Sequence, residues 1–423
     1  VQENLKVAYI LHRFPHYTET FILREMIWMR DHDVDVEIFS LLPPRQDHEV
    51  VHEQSKRLLP YVHYSPLFSI QIVGALLYFL FSKPGNLVRA LIRLVRQTIH
   101  EPNLMLRMLF LFPKIVYFAR QMQELGIDHI HAHFAWMEGL AAGVVKDLLG
   151  ITFTIHPHAF GLFSRDQRDV RAELENASQI VTISDYHRRY IANLSPVIQE
   201  SDVEIVYCGI EMDTMRPPAH RPQNDPIVIT SVGRMIEKKG FEYLVEACAI
   251  LAKRGINFEC RIVGRGPLQD LLQSRIEEYG LQDQIILVGV LEQADVVKLY
   301  QGSDLLALAC VVAKDGDRDG IPVVLMEAMA CGLPVVSTVT SGIPDLVVDG
   351  ENGFLVPARD AEAFADAMER LIADESLRTE LGANARQAIE DKFQIGHNAA
   401  KLAGIFRRVS GHGVPVTGKE FAS

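Results

Sequence analysis

Short apolar runs alternate along the whole chain with longer stretches in which apolar residues recur every three or four positions. The runs read as strands and the longer stretches as amphipathic helices, so their alternation predicts parallel sheets with helices on both faces. In the first half the strand-like runs are LKVAYIL from Leu5, VDVEIFSL from Val34, DHIHAHF from Asp128, TFTIH from Thr152, QIVTIS from Gln179 and VEIVYC from Val203. In the second half they are IVITSVG from Ile227, FECRIVG from Phe258, QIILVG from Gln284, LLALAC from Leu305, PVVST from Pro334 and GFLVP from Gly353. Between the halves lies DTMRPPAHRPQNDP, residues 213–226, rich in proline and polar side chains, which reads as a hinge linker. The pattern therefore predicts an α/β chain of two Rossmann-like, doubly wound domains facing a cleft. Their expected bounds are 1–213 and 227–395, with a linker over 214–226 and a C-terminal helix over 396–410. Residues 411–423 are too polar and glycine-rich to be expected to order themselves.

A chain of 423 residues has room for two or three domains, each with its own core. Its 42 basic and 54 acidic residues give a net charge of −12, which argues against nucleic acid as the main partner. Cys208, Cys248, Cys260, Cys310 and Cys331 show no paired spacing and read as reduced thiols of a cytoplasmic protein. The opening VQENLKVAYILHRF goes straight into a strand pattern, without an apolar run of export length.

Charge is uneven within 67–122. There Lys83, Arg89, Arg93, Arg96, Arg107, Lys114 and Arg120 face a single acid, Glu101. Arg89, Arg93 and Arg96 recur at helical spacing beside Leu87, Leu91, Leu94 and Val95, a pattern suited to an anionic bilayer surface. The apolar run from Ile70 to Phe81 is too short to span one. The alternative is a helical insertion packed on the sheet with a solvated basic edge.

The most informative stretch is DRDGIPVVLMEAMACGLPVVST, Asp317 to Thr338. It sets Asp319 in a loop before a helix and Glu327 two turns inside it. Gly320 admits close backbone approach, and Pro322 suits the first helical position. The amides of Gly320, Ile321 and Val323 would then point outwards, where the helix dipole favours an anion such as a diphosphate. SVGRMIEKKGF follows a strand and brings Arg234 and Lys239 towards its carboxyl end, two cations able to neutralise a leaving diphosphate without a metal.

An acid, Gly-Ile-Pro, a second acid at Glu327 and then Ala-x-Ala-x-Gly-x-Pro-Val-Val resemble the donor site of retaining glycosyltransferases of family 4, especially the bacterial exopolysaccharide and colanic-acid type. The resemblance implies a GT-B fold and transfer of a sugar from a nucleoside-diphosphate donor to a saccharide hydroxyl. It implies that Arg234 and Lys239 hold the donor phosphates, that Glu327 holds the ribose and that Asp319 holds the transferred sugar. It places Gly264 and Arg265 of IVGRGPL, and the backbone of Val290, beside the nucleotide. On the acceptor side it points to Thr18, Glu19 and Thr20, whose other reading is ordinary helix capping. Two His-x-His pairs, His131/His133 and His156/His158, read as strand-end histidines lining the cleft, with His158 close to the donor sugar and His133 on the acceptor side. The alternative for these four is a zinc site. No metal or other cofactor is expected.

The chain departs from the family pattern twice. Asp319 stands where Glu is usual, one methylene shorter, and Gly161 stands where an Asp follows the histidine. Two rival readings stay open beside the transferase: a nucleotide-sugar epimerase of the same fold, and a catalytically weak nucleotide-sugar-binding scaffold. The expected partners are a nucleotide sugar, a lipid-linked saccharide acceptor and an anionic membrane surface met through 67–122. The expected location is peripheral, on the inner face of the cytoplasmic membrane.

Overall fold

The computed structural model describes residues 4–16, 19–44 and 53–412. It contains two parallel sheets. The first takes β1 (Leu5–Arg13), β2 (Val34–Leu42), β3 (Val62–His63), β4 (His129–His133), β5 (Thr152–His156), β6 (Gln179–Thr182) and β7 (Val203–Ile205), in the order β3-β2-β1-β4-β5-β6-β7. The second takes β8 (Ile227–Val232), β9 (Phe258–Val263), β10 (Ile285–Gly289), β11 (Leu305–Ala307), β12 (Val335–Thr338) and β13 (Gly353–Val356), in the order β10-β9-β8-β11-β12-β13. Every strand-like run of the sequence is present. Only β3 is additional, and its two residues are too few to leave a periodic signal.

Burial explains the patterns. Val34, Val36 and Ile38 of β2 are buried while Asp35 and Glu37 are partly exposed, so this strand next to the edge alternates. β4 is buried at every position, His129 to His133. The unit boundaries differ from expectation before residue 395. One compact unit runs to Thr182 and includes Tyr190–Val206 and the chain from Gly396, and the other is Ile183–Arg189 with Tyr207–Ile395. The helix Ile395–Ser410 thus packs on the first sheet, where the ring of Phe406 lies 6.3 Å from Tyr9, 5.2 Å from His129 and 4.8 Å from His131.

The segment expected as a hinge is packed on the second unit. Arg221 donates to the carbonyls of Ser303, Cys331 and Gly332 at 2.8, 2.9 and 3.0 Å, and Asn224 to Asp304 at 2.9 Å. Two of its polar side chains, Arg221 and Asn224, thus serve groups at the amino-terminal side of the sheet, while most of the others are exposed. Residues 413–423 lie outside the described part.

Three helices, Ile70–Ser82, Pro84–Arg96 and Pro102–Leu125, connect β3 to β4. The basic stripe expected here is smaller than the sequence suggests. Arg93 is bound by both oxygens of Asp147 at 2.6 and 3.2 Å, and Lys114 is buried and donates to the Leu41 carbonyl at 2.8 Å. Arg120 lies over the Tyr78 ring and pairs with Glu124. Helical spacing alone did not distinguish these cations from Arg89, Arg96 and Arg107, which are exposed.

Candidate functional site

In both sheets the chain order reverses beside the first strand, between β1 and β4 and between β8 and β11. Loops leaving the carboxyl ends of those strands diverge there and leave a crevice, the usual ligand position in open α/β sheets. The candidate residues gather at these two points, each within its own unit.

In the second unit, the loop after β8 carries Arg234 and Lys239, and the long loop after β11 carries Asp319. Lys239 Nζ lies 2.6 Å from Asp319 Oδ2. Lys238, which the sequence did not single out, is 3.0 Å from Asp317 Oδ2 and 3.6 Å from Asp319 Oδ1. Burial alone would drive Lys239 towards neutrality. The Asp319 carboxylate outweighs it and holds the ammonium above its usual range, with the nearby Arg234 opposing. For Asp319 burial acts upwards, and the charges of Lys239 and then Lys238 overcome it, so the carboxyl ends below its ordinary value. The result is a locked ion pair at the reversal point, with the exposed Arg234 beside it.

The helix Val323–Ala330 begins at Pro322, which is its cap rather than its first residue. Among the described residues, the amides of Gly320, Ile321 and Val323 donate to no other protein group. Gly320 also meets a packing requirement that the sequence did not show. A side chain there would stand 2.5 Å from Ile183 Cδ1 and 3.0 Å from His187 Cε1, so its smallness serves packing within the protein. Glu327 is buried beside Tyr300, whose phenol is held well above its usual range by burial and then by the Glu327 charge.

The loop after β9 is zipped to the loop after β8. Met235 donates to the Arg265 carbonyl at 3.0 Å, and Gly264 has φ +133° with the position of an added Cβ only 1.9 Å from the Gly233 carbonyl oxygen. Arg265 is exposed and its guanidinium lies over Gly289, next to Val290. Val290 is 64% exposed, and its backbone groups have no partner among the described residues. These residues do come together around one end of the second sheet.

In the first unit, Glu19 precedes the helix Thr20–Asp31, but its side chain caps nothing. Thr20 begins that helix; Thr18 lies outside the described residues. Across the reversal point stands Glu138, in the first turn of the helix Met137–Leu149, with His12 and Trp136 rings 5.0 Å apart nearby. Glu138 was missed by sequence reading. It is 2% exposed, Oε2 has no hydrogen-bond partner, and burial, then the charge of Glu19, push its carboxyl well up. An acid opening a helix directly after HIHAHFAW was the available signal.

Burial also pushes Glu19 up to about 7. A carboxyl raised in the fold keeps its proton where the unfolded chain has already lost it, so stability falls as pH rises from the usual 4.5 to about 7. At about 1.4 kcal/mol per pH unit the loss is on the order of 3 kcal/mol. Glu19→Gln is therefore expected to raise the melting temperature at pH 8 and leave it unchanged at pH 4. Equal shifts at both values would show that Glu19 is not the group responsible.

The histidines are core residues rather than a lining. His129, His131, His133, His156 and His158 are buried on one face of the first sheet. Burial lowers His129 to about 3 and, with its histidine neighbours, His131 well below its normal value, so both are neutral. His158 faces His133 at 3.0 Å (Nε2 to Nδ1), His133 faces Glu25 at 3.1 Å, and Tyr9 donates to the same Glu25 oxygen at 2.9 Å. Nitrogens of His131, His133 and His156 lie within 4.8 Å of one another, as a metal would need. Both nitrogens of His133 are already engaged, however, so the hydrogen-bonded chain satisfies the geometry better. Gly161 has φ +84° and a Cβ there would be 2.5 Å from the Ala135 carbonyl oxygen, so no carboxylate fits at that position.

Residues 18–214 match the model described as Glycosyltransferase Family 4, and residues 213–388 match Glycosyl transferases group 1. The amylovoran biosynthesis glycosyltransferase AmsK of Erwinia amylovora is 29% identical over 422 residues, 96% of this chain and 100% of that protein. The putative colanic acid biosynthesis glycosyltransferase WcaL of Escherichia coli K12 is 41% identical over 189 residues, 44% of this chain and 46% of that protein. Among solved structures, Anabaena Alr3699/HepE in complex with UDP has a TM-score of 0.73 at 16% identity, covering 96% of this chain and 100% of the other. Sucrose-phosphate synthase from Thermosynechococcus elongatus has a TM-score of 0.73 at 19% identity, covering 97% and 100%. At these identities the likeness concerns the fold.

Proposed function

Because this chain belongs to the family 4 glycosyltransferases and has their GT-B fold, we propose that it moves a hexose from a nucleoside-diphosphate donor to a hydroxyl of a lipid-linked saccharide during exopolysaccharide assembly. The observation that carries this reading is the Lys239–Asp319 pair at the reversal point of the second sheet, beside Arg234 and the unpartnered amides of Gly320, Ile321 and Val323. In this reading the arriving diphosphate takes over Lys239, with Arg234 and the helix amides completing the positive wall. Asp319, released from Lys239, is then available to the hydroxyls of the transferred sugar. Arg265 and the backbone of Val290 take the nucleoside, and Gly264 allows the two loops to approach.

Retention of configuration is assigned to a front-face route. The bond from the anomeric carbon to phosphate breaks, the acceptor oxygen bonds on the same face, and its proton passes to the departing diphosphate. Glu19 and Thr20 are assigned to the acceptor side, with the buried chain from His158 through His133 to Glu25 supporting it from the core. No metal is assigned to the donor, because Arg234 and Lys239 supply the positive charge. Transfer from nucleotide sugar to a lipid-linked oligosaccharide, measured with and without EDTA, tests both points. Turnover is expected with acceptor and unchanged by EDTA. Donor conversion without any acceptor would favour an epimerase, and rescue by magnesium would refute the metal-free assignment.

The ribose contact has its own test. Glu327→Gln is expected to weaken donor binding by roughly 1.5–3 kcal/mol, the range for a hydrogen bond to a charged group. Tyr300→Phe controls for the neighbouring phenol. Unchanged affinity of Glu327→Gln in calorimetry removes Glu327 from the site.

A further inference from the structure

We infer that the three helices between β3 and β4 form a face that inserts into the interface of an anionic bilayer, holding by apolar burial as well as by charge. More than half of the large apolar side chains exposed among the described residues lie between Leu67 and Phe110. Ile70 is 86% exposed, Phe81 81% and Phe68 78%, and Val73, Leu77, Val88, Ile92 and Leu106 accompany them. The Phe68 ring meets Phe110 at 5.8 Å, which joins the segment before the first helix to the third helix. The helices are firmly seated on their other side, where Ile72, Phe79, Leu94, Met108 and Leu111 are buried. A seated helix with an apolar outer face is what a bilayer interface rewards, and soluble surfaces rarely carry one this wide.

The occupant follows from charge and length. The helix Ile70–Ser82 has 13 residues, and no described helix is long and apolar enough to cross a membrane, so the face lies in the surface plane. Arg89, Arg96 and Arg107 stand among the apolar side chains without an acidic partner among the described residues, which suits anionic headgroups. A second copy of the chain fits worse, since a two-fold contact would press these unpaired guanidiniums together. The helix that gives Leu106 and Phe110 to the face also gives Arg107 to a recess of about 340 Å³ beside Trp136 and Asn103, which insertion would hold at headgroup level.

The inference rests on the proposed function only in taking the partner to be the membrane that carries the acceptor. Flotation with phosphatidylcholine–phosphatidylglycerol vesicles at 0.15 M and 1 M NaCl tests it, with hydrolysis of soluble nucleotide sugar measured in parallel. Wild type is expected to float at both salt concentrations. The triple variant Phe68→Ser, Ile70→Ser, Phe81→Ser should lose more than tenfold in binding while keeping its melting temperature and donor hydrolysis. Arg89→Gln with Arg96→Gln and Arg107→Gln should weaken flotation at 0.15 M and leave the remainder insensitive to salt. Wild type that never floats, a serine triple that floats normally, or a dimer dissolved by the triple would each overturn the inference. Vesicle binding without any donor turnover would instead count against the transferase reading alone.

Discussion

Lys239→Ala is expected to lower sugar transfer by about 10²- to 10³-fold, the loss that follows removal of one fixed electrostatic donor from a transfer site. Lys239 is 13% exposed in its side chain and Asp319 15%, so neither charge is well hydrated. Removing one partner of a buried pair typically costs about 3–5 kcal/mol. Here Lys238 remains 3.6 Å from Asp319 and some water contact persists, so the stability cost should be nearer 1–2 kcal/mol. Asp319→Asn should act in the opposite sense on binding. It frees Lys239 for the diphosphate, so nucleoside diphosphate should bind at least as tightly as to wild type while transfer falls. Transfer rate and calorimetric affinity, measured for both variants and for Asp319→Glu, separate the two roles. An Asn variant that transfers at the wild-type rate would sink the assignment of Asp319 and favour the scaffold reading.

Gly240→Ala should destabilise the protein by about 3 kcal/mol or more, from left-handed backbone strain and a core-type clash together. Gly240 has φ +66°, and the position of an added Cβ lies 1.7 Å from the Ala309 carbonyl oxygen. The neighbour is backbone just beyond β11, so no side-chain rotation relieves the contact. Because Gly240 follows Lys239 directly and precedes the helix Phe241–Lys253, any shift there also moves Lys239 and its pair with Asp319. Gly85→Ala is the matched control, since an added Cβ meets nothing within 4 Å and Gly85 lies in the first turn of an exposed helix. Denaturant midpoints should drop sharply for the first and stay level or rise for the second. A wild-type midpoint for Gly240→Ala would mean that the two loops separate more easily than their packing implies.

The grouping of the residues proposed for the donor was legible because they lie close together in the chain. Gly320, Ile321 and Val323 lie together in the chain, and Arg234 and Lys239 are separated by a single short loop. Lys238 was overlooked because adjacent lysines look equivalent in sequence, whereas the loop turns both towards acids, one to Asp317 and one to Asp319. Glu138 was overlooked because its partner across the reversal point, Glu19, is more than a hundred residues away. The histidines were misplaced for a related reason. Strand alternation puts His129, His131 and His133 on one face, but it does not say that the helices Thr20–Asp31 and Ile395–Ser410 cover that face.

What the sequence determined by itself was the parallel α/β architecture, the strand runs and the grouping of Arg234, Lys239, Asp319 and the amides after it. Backbone periodicity and turn chemistry act over a few residues, and those signals survive in a linear reading. Tertiary structure alone decided which charges are spent on the fold. Arg93 and Lys114 are bound to Asp147 and the Leu41 carbonyl, and Arg221 to three carbonyls of the second unit. It also decided that Gly161 excludes a carboxylate, and that the helix after residue 395 returns to the first sheet. Each of these depends on what long-range packing brings within a few ångströms, where burial and Coulomb interactions outweigh the intrinsic preferences of a side chain.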